Sequence, residues 1–235
     1  MLNNKFISAI IVAAGSSSRM QMNVSKQLLK ICDKTVLQHT VSAFVGSGIV
    51  DEIIVVCPGW DIENFKSLFA GDYEQKIPLK FTVGGNTRQD SVGNGIAQIS
   101  EICDIVAIHD GARPLVEKKD IIGVVSDAIR FGASTLAVSV KDTIKICENS
   151  TVVSTPPREK LYIIQTPQVF SKSDYVKAYQ KAIENGENFT DDCQLIESVG
   201  GKVHITPGSY TNIKITTAED IPTAEAFMKM RCNSN

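Results

Sequence analysis

The sequence predicts an α/β fold: a doubly wound, mostly parallel sheet with a protruding β-hairpin arm. Three observations lead there. Short Ile/Val-rich runs recur along the chain, their continuity implying burial on both faces, as in a parallel sheet. Apolar stripes at helical spacing separate these runs, and such alternation is the mark of a doubly wound sheet. The alternation breaks once, at 141–160, where turn residues and a Pro-Pro pair replace it.

The strands read as Ile7–Ala13, Glu52–Cys57, Lys80–Val83, Ile105–His109 and Thr135–Val140. Val36, Leu37, Thr40, Val41, Phe44 and Val45 form the first helical stripe. Val92, Ile96 and Ile99 form the second, and Ile121, Val124, Val125 and Ala128 the third. The segment Lys141–Lys160, "KDTIKICENSTVVSTPPREK", reads as two short strands around the turn "ENS". It is expected to leave the body of the domain as an arm, with Lys141 and Lys145 as solvated charges. Further helices are expected near Ser173–Glu184, opened by Ser171-x-x-Asp174, and near Asp191–Ser198. The last is expected over Ala218–Met230, opened by Thr217-x-x-Asp220. No repeat, low-complexity tract or linker interrupts the chain, so residues 1–235 read as one domain.

Bulk composition narrows the class. The 235 residues are 43% hydrophobic and 21% charged, an ordinary globular profile. A net charge of -2 supplies no global field to draw nucleic acid or an anionic membrane. No apolar run reaches the roughly 18 residues that a membrane span requires. "MLNNKFISAIIVAAG" lacks the cationic start of a secretory signal and reads as the first strand. The six cysteines and three histidines are scattered without C-x-x-C pairs, which argues against zinc or a disulfide framework. Reduced thiols in a cytoplasm are the simpler account.

The first strand runs into "AAGSSSRMQMNVSKQLL", a small-residue loop carrying Arg19 and Lys26. Ligands of open α/β sheets bind beyond the C-terminal strand ends. Small residues there allow a polyphosphate to approach backbone N–H groups, and the two cations add charge. The loop matches neither G-x-G-x-x-G nor the Walker pattern, because Gly15 is its one glycine. Alone it also fits a polar loop with solvated cations. "GGNTRQDSVGNGI" (Gly84–Ile96), "IHDGARP" (Ile108–Pro114), "QTPQVF" (Gln165–Phe170) and "TNIKITTAEDI" (Thr211–Ile221) change the balance. The first two follow predicted strands, and polar clusters at strand ends converge on one face, as an active site requires.

Together "AAGSSSRM…SKQLL", "GGNTRQDSV", "HDGARP", "KDTIK", "PREKLYIIQTPQVF" and "TDD…NIKIT" resemble the 2-C-methyl-D-erythritol 4-phosphate cytidylyltransferase family. The resemblance spans nearly the whole chain in one order. Departures are small: Gly111 stands where alanine is frequent, Asn86 where an acid is frequent, and Cys193 where alanine is usual. The resemblance implies a nucleotidyltransferase Rossmann-like fold and a cytoplasmic homodimer joined through the arm 141–160. It implies transfer of CMP from CTP to methylerythritol phosphate, with release of pyrophosphate, in isoprenoid precursor synthesis. Ribitol-5-phosphate cytidylyltransferase shares the chemistry and is the first rival. Its members tend to open with "LAGG", where this chain has Val12-Ala13-Ala14-Gly15.

In that reaction a phosphate oxygen attacks the α-phosphorus of CTP. A phosphomonoester is already dianionic near neutral pH, so no general base is needed. The obstacle is repulsion between polyanions, and cations with good positioning overcome it. The resemblance makes Arg19, Lys26, Arg158 and Lys214 catalytic. It places Ala13, Ala14, Gly15, Gly85, Arg88, Ser91, Asp110 and Ala112 around the nucleotide. Arg113 and Thr143 join Arg158 and Lys214 at the acceptor, with Arg158 supplied by the partner subunit. Mg²⁺ is the expected cofactor, bridging phosphates with few protein ligands, of which Asp110 is the best placed. His109 reads as a packed or hydrogen-bonded neighbour. A nucleotide-binding module without activity is disfavoured because the cations and Asp110 are all retained. A dinucleotide oxidoreductase is disfavoured by the missing glycine fingerprint.

Overall fold

The strand that carries the first loop lies in the middle of the structure, flanked on both sides. A computed structural model describes residues 1–15, 25–70 and 77–232. Its elements run β1 (Ile7–Val12), β2 (Lys30–Ile31), β3 (Lys34–Thr35), α1 (Val36–Ser47), β4 (Glu52–Cys57) and α2 (Ile62–Ser67). Then come β5 (Leu79–Val83), α3 (Arg88–Ile96), β6 (Ile105–Asp110), α4 (Lys118–Phe131), β7 (Ala133–Ser139), β8 (Ile146–Glu148) and β9 (Thr151–Ser154). The chain closes with β10 (Tyr162–Ser171), α5 (Lys172–Glu184), α6 (Asp192–Ser198), β11 (His204–Pro207) and α7 (Asp220–Cys232).

Seven strands form one sheet in the order β11-β7-β10-β6-β1-β4-β5. Only β10 runs against its neighbours β6 and β7, so the sheet is mostly parallel, as expected. From β1 the chain first winds outward through β4 and β5, then returns to place β6 on the other side. Strand order reverses between β1 and β6, and a crevice opens beyond their C-terminal ends. Val12 and Asp110 stand opposite each other at that point.

Period-two alternation divides β1 between two cores. Ile7, Ala9 and Ile11 face α1 and α4, joining Leu37, Val41, Phe44, Ile121 and Val125. Ile10 faces the other way, with Val92 of α3, Tyr175 and Ala178 of α5, and Leu195 of α6. Both faces of the sheet are therefore covered by helices, which is why its strands read as unbroken apolar runs. A third cluster, Ile31, Val36, Ala112, Leu115, Ile215 and Ala224, packs α7 beside the β6 end. No helix of the described residues is long and apolar enough to cross a membrane.

The arm takes the expected form. β8 and β9 pair only with each other, around Asn149 and Ser150, whose φ values are 46° and 64°. Those left-handed angles are the ones a tight hairpin turn demands. The arm's apolar residues lie open, with Ile146, Val152 and Val153 each more than half exposed. Lys145 donates to Thr155 Oγ1. Lys141 differs from expectation: it lies 3.6 Å from the centroid of the Tyr210 ring, a cation–π contact at the arm's base.

Four strands, one helix and one cap depart from the sequence reading; β2, β3 and α2 are too short to leave a periodic pattern. β10 went unread because Pro167 sits within it, and proline argues against a central strand. The structure accommodates it with a register shift between Ile164 and Gln168. β11 is four residues long and mostly exposed, so it has little apolar pattern. Ser171 ends β10 and precedes α5, but its side chain makes no capping bond to that helix. Asp191 does cap α6, accepting from the Gln194 N–H, and Asp220 accepts from the Thr216 and Thr217 N–H groups.

The α1 side of the core holds β1 in place through Phe44, which is fully buried. Phe44→Ala is expected to cost about 3–5 kcal/mol of unfolding free energy. Urea denaturation checks this, and an unchanged midpoint would remove Phe44 from the core that positions the crevice.

Candidate active site

The crevice at the switch point is a cleft of about 580 Å³. Val12, Ala14, Gly15, Lys26 and Gln27 line it from the first loop. Gly85, Asn86, Thr87, Arg88 and Ser91 line it from the start of α3, and Asp110, Ala112 and Lys214 complete it. Four separate stretches of sequence thus meet at one place.

Each wall has a local reason for its shape. Thr87 caps α3: its side chain accepts from the Asp90 N–H while Asp90 accepts from the Thr87 N–H, a capping box. Ser91 Oγ accepts from the Gly85 N–H at 3.1 Å and donates to the Thr87 carbonyl. The turn is also glycine for want of room. A Cβ on Gly84 would collide with the Ala14 methyl, and one on Gly85 with the Asp90 Cβ. The first loop and the Gly84–Gly85 turn therefore touch.

Asp110 is the centre of the charge arrangement. Lys214 Nζ lies 2.8 Å from its Oδ2, Arg88 Nε 3.6 Å from Oδ1, and Arg113 Nε 3.7 Å from Oδ2. Burial works to protonate the carboxyl, but Lys214, then Arg88, then Arg113 outweigh it and hold its pKa well below the ordinary carboxylate range. The backbone behind Asp110 is equally well held. Its N–H donates to Thr166 Oγ1 at 3.1 Å, and the neighbouring Gly111 N–H donates to the Val12 carbonyl at 2.8 Å.

Lys214 reaches Asp110 because its loop is tied down on both sides. The Ile215 N–H donates to the Ala112 carbonyl at 2.8 Å. Asn212, fully buried, donates to the Thr166 carbonyl, and its own carbonyl accepts from Arg113 Nη1 at 2.8 Å. Arg231 of α7 ties the same loop further out, donating to Thr211 Oγ1 and the Leu115 carbonyl.

His109 is placed as a strut. Its Nε2–H donates to the Arg113 carbonyl at 3.1 Å, which leaves Nδ1 to accept from the Thr166 hydroxyl at 3.0 Å. Phe44 meets its ring edge-on, with centroids 5.0 Å apart. Burial lowers its pKa to about 4, so it is neutral at pH 7.

Among the residues expected at the site, Ala14, Gly15, Lys26, Gly85, Arg88, Ser91, Asp110, Ala112 and Lys214 line the cleft. Ala13 does not: it is fully buried, and its N–H donates to the Val56 carbonyl. Arg113 lies behind Asp110 and supports it. Arg158 and Thr143 sit on the arm, outside the cleft of their own chain, and Arg158 Nη1 donates to the Lys141 carbonyl at 2.8 Å. Arg19 lies outside the described residues. Gln27, Thr87, Thr166 and Asn212 were not singled out from sequence. For Thr87 a signal existed, since Thr87-x-x-Asp90 has capping-box spacing. Thr166 and Asn212 act through tertiary hydrogen bonds that leave no local pattern.

Three comparisons bear on this arrangement. The family model for IspD, 2-C-methyl-D-erythritol 4-phosphate cytidylyltransferase, matches residues 7–230. A cytidylyltransferase of that name from Caldanaerobacter subterraneus is 45% identical over 224 residues, covering 95% of this chain and 99% of that protein. The one from Desulforamulus reducens is 44% identical over 227 residues, covering 96% and 97%. The crystal structure of 4-diphosphocytidyl-2C-methyl-D-erythritol synthase from Anaerococcus prevotii superposes with a TM-score of 0.84 at 33% identity, covering 96% and 99%.

The buried neutral His109 has a consequence for stability. Its folded pKa is depressed below the unfolded value near ~6.5. Stability from this group is thus full above about pH 6.5 and is lost as pH falls toward its folded pKa of about 4. Unfolding free energy measured by urea at each pH should decline across that window, and His109→Gln should flatten the decline. An equal decline in the variant would show that His109 is not the group responsible.

Proposed function

The chain belongs to the 2-C-methyl-D-erythritol 4-phosphate cytidylyltransferase family, and we propose that its cleft carries out that reaction with Mg²⁺, in a homodimer whose arms complete each other's sites. The enzyme transfers CMP from CTP to 2-C-methyl-D-erythritol 4-phosphate. The products are 4-diphosphocytidyl-2-C-methyl-D-erythritol and pyrophosphate, a step in isoprenoid precursor synthesis. The observation that carries this reading is the charge balance of the cleft. Among the described residues, Lys26, Arg88 and Lys214 line it against one carboxylate, Asp110. A site with surplus positive charge suits a polyphosphate substrate.

The residues divide the work by position. Gly85 and Ser91 shape the cleft wall beside α3, against which base and ribose are expected to lie. Lys26 meets the triphosphate where charge grows in the transition state, and Arg19 is assigned the same task. Lys214 and the partner's arm, with Arg158 and Thr143, hold the acceptor phosphate in line. Asp110, ionised by its cations, fits Mg²⁺ as one carboxylate among phosphate oxygens and waters, the ligand set this ion prefers. Held by Asp110, Mg²⁺ would supply charge neutralisation for the phosphates.

The arm supports the reading as a dimer. A lone hairpin is marginal in water, and this one exposes Ile144, Ile146, Val152 and Val153. A second copy of the chain is the simplest cover. A cytoplasmic setting agrees with the five cysteines that stand free among the described residues.

Two measurements test the proposal. With CTP and Mg²⁺, methylerythritol phosphate should support pyrophosphate release far better than ribitol 5-phosphate, and a larger kcat/KM for the ribitol ester would reverse the assignment. Shared sites are tested by subunit mixing. Lys26→Ala and Arg158→Ala homodimers should each be nearly inactive. After refolding together about half the dimers are mixed, and one site in each mixed dimer is free of defects. Activity should then return to roughly a quarter of wild type if sites act independently. No recovery, with exchange confirmed by a mass tag, would place Arg158 in its own chain's site.

A further inference from the structure

Arg88 answers to two carboxylates, and the nearer one lies outside the cleft. Its Nη2 is 2.6 Å from Asp192 Oδ2, whereas its Nε is 3.6 Å from Asp110 Oδ1. Asp192 is itself held on three sides. The Tyr175 hydroxyl donates to Oδ1 at 2.7 Å, the Asp192 N–H donates to Gln168 Oε1 at 2.9 Å, and the preceding Asp191 caps the helix that carries it. Asp192 and Tyr175 are both almost wholly buried. Two adjacent acids thus do different things: Asp191 ends a loop, and Asp192 grips an arginine.

We propose that Asp192, oriented by the Tyr175 hydroxyl, is a positioning residue for nucleotide binding: it holds the Arg88 guanidinium on the cleft wall and keeps it from closing onto Asp110. This rests on the reading of the cleft as a CTP site.

The alternative is a staple that merely docks α3 against α6. The neighbouring residue makes that redundant. Gln89 Nε2 donates to the Glu187 carbonyl at 3.0 Å, and Gln89 Oε1 accepts from the Phe189 N–H at 2.9 Å. Val92 also packs into the core shared with Tyr175 and Leu195. The helix is therefore docked without its arginine. A buried ion pair is in any case weak evidence for stability, since desolvation offsets its attraction. What the pair does supply is direction. With Nη2 against Asp192 and Nε toward Asp110, the planar fork has one orientation. Burial opposes the charge, but Asp192, then Asp110, keep the guanidinium ionised. Without Asp192 the nearest opposite charge is Asp110, and Arg88 would swing to neutralise it.

The test is a double-mutant cycle on CTP affinity and kinetics, using wild type, Arg88→Ala, Asp192→Asn and the double variant, with thermal midpoints alongside. Asp192→Asn should weaken CTP binding and raise its KM by at least about tenfold, as expected when one partner of a close buried ion pair loses its charge, with a smaller effect on kcat. Added to Arg88→Ala it should change CTP affinity by less than about twofold, because the residue it positions is gone. The same factor in both backgrounds, or no effect in wild type, would overturn the proposal and leave a structural ion pair. If Asp192→Asn fails to fold, Tyr175→Phe replaces it in the cycle. It should weaken CTP binding in wild type and not in Arg88→Ala, and equal losses would again overturn the proposal. Wild-type pyrophosphate release tests the cleft's function separately from these ratios.

Discussion

A buried carboxylate at the end of a central strand sets the terms for the rest of the site. Asp110 is 9% exposed, and removing an ionised carboxyl from water is costly unless opposite charge and hydrogen bonds replace the lost solvent. Lys214, Arg88 and Arg113 supply that charge from the loop before α7, from the start of α3 and from the turn after β6. One anion therefore gathers three cations that are distant in sequence. Without it Lys214 would lose its close partner, while Arg88 would keep Asp192 and Arg113 the Asn212 carbonyl. With it they share one end of the sheet, in the only kind of place where a polyanionic substrate can be met by several fixed charges at once.

The surrounding structure serves this gathering. The register of β1 against β6 brings the first loop level with Asp110. The shift in β10 turns Thr166 toward the same point, where one hydroxyl joins the Asp110 backbone to His109. Asn212 carries the tie onward to the loop of Lys214. None of these groups lines the cleft. They fix the positions of groups that do, and catalysis by bound charges depends on such positioning.

Much of this was legible before the structure. Uninterrupted runs such as "EIIVVC" and "IVAIHD" announced strands covered on both faces, and the stripe of Leu37, Val41 and Phe44 announced its helix. "GGNTRQDSV" and "HDGARP" marked strand ends, and both line the cleft. What escaped notice had opposing local and tertiary signals. Pro167 hid β10, although the sheet accepts it where pairing shifts. Ala13, expected around the nucleotide, is buried and backbone-bonded at the sheet end. Arg113, expected at the acceptor, faces Asp110 and the Asn212 carbonyl. Asp192 sat in plain view within "TDD", yet its partner Arg88 lies 104 positions earlier, and no periodicity links them.

The state of Asp110 is open to direct observation. The carboxyl ¹³C resonance of Asp110, labelled and assigned through Asp110→Asn, can be followed from neutral pH down to about 3, past the ordinary aspartate pKa near ~3.9. If three cations hold the group, the resonance stays at its ionised position throughout, and in Lys214→Ala it begins to titrate at higher pH than in wild type. A midpoint near 4 in wild type, unmoved by loss of Lys214, would contradict the account: Asp110 would then be an ordinary carboxyl, and the cations around it would be gathered by something else.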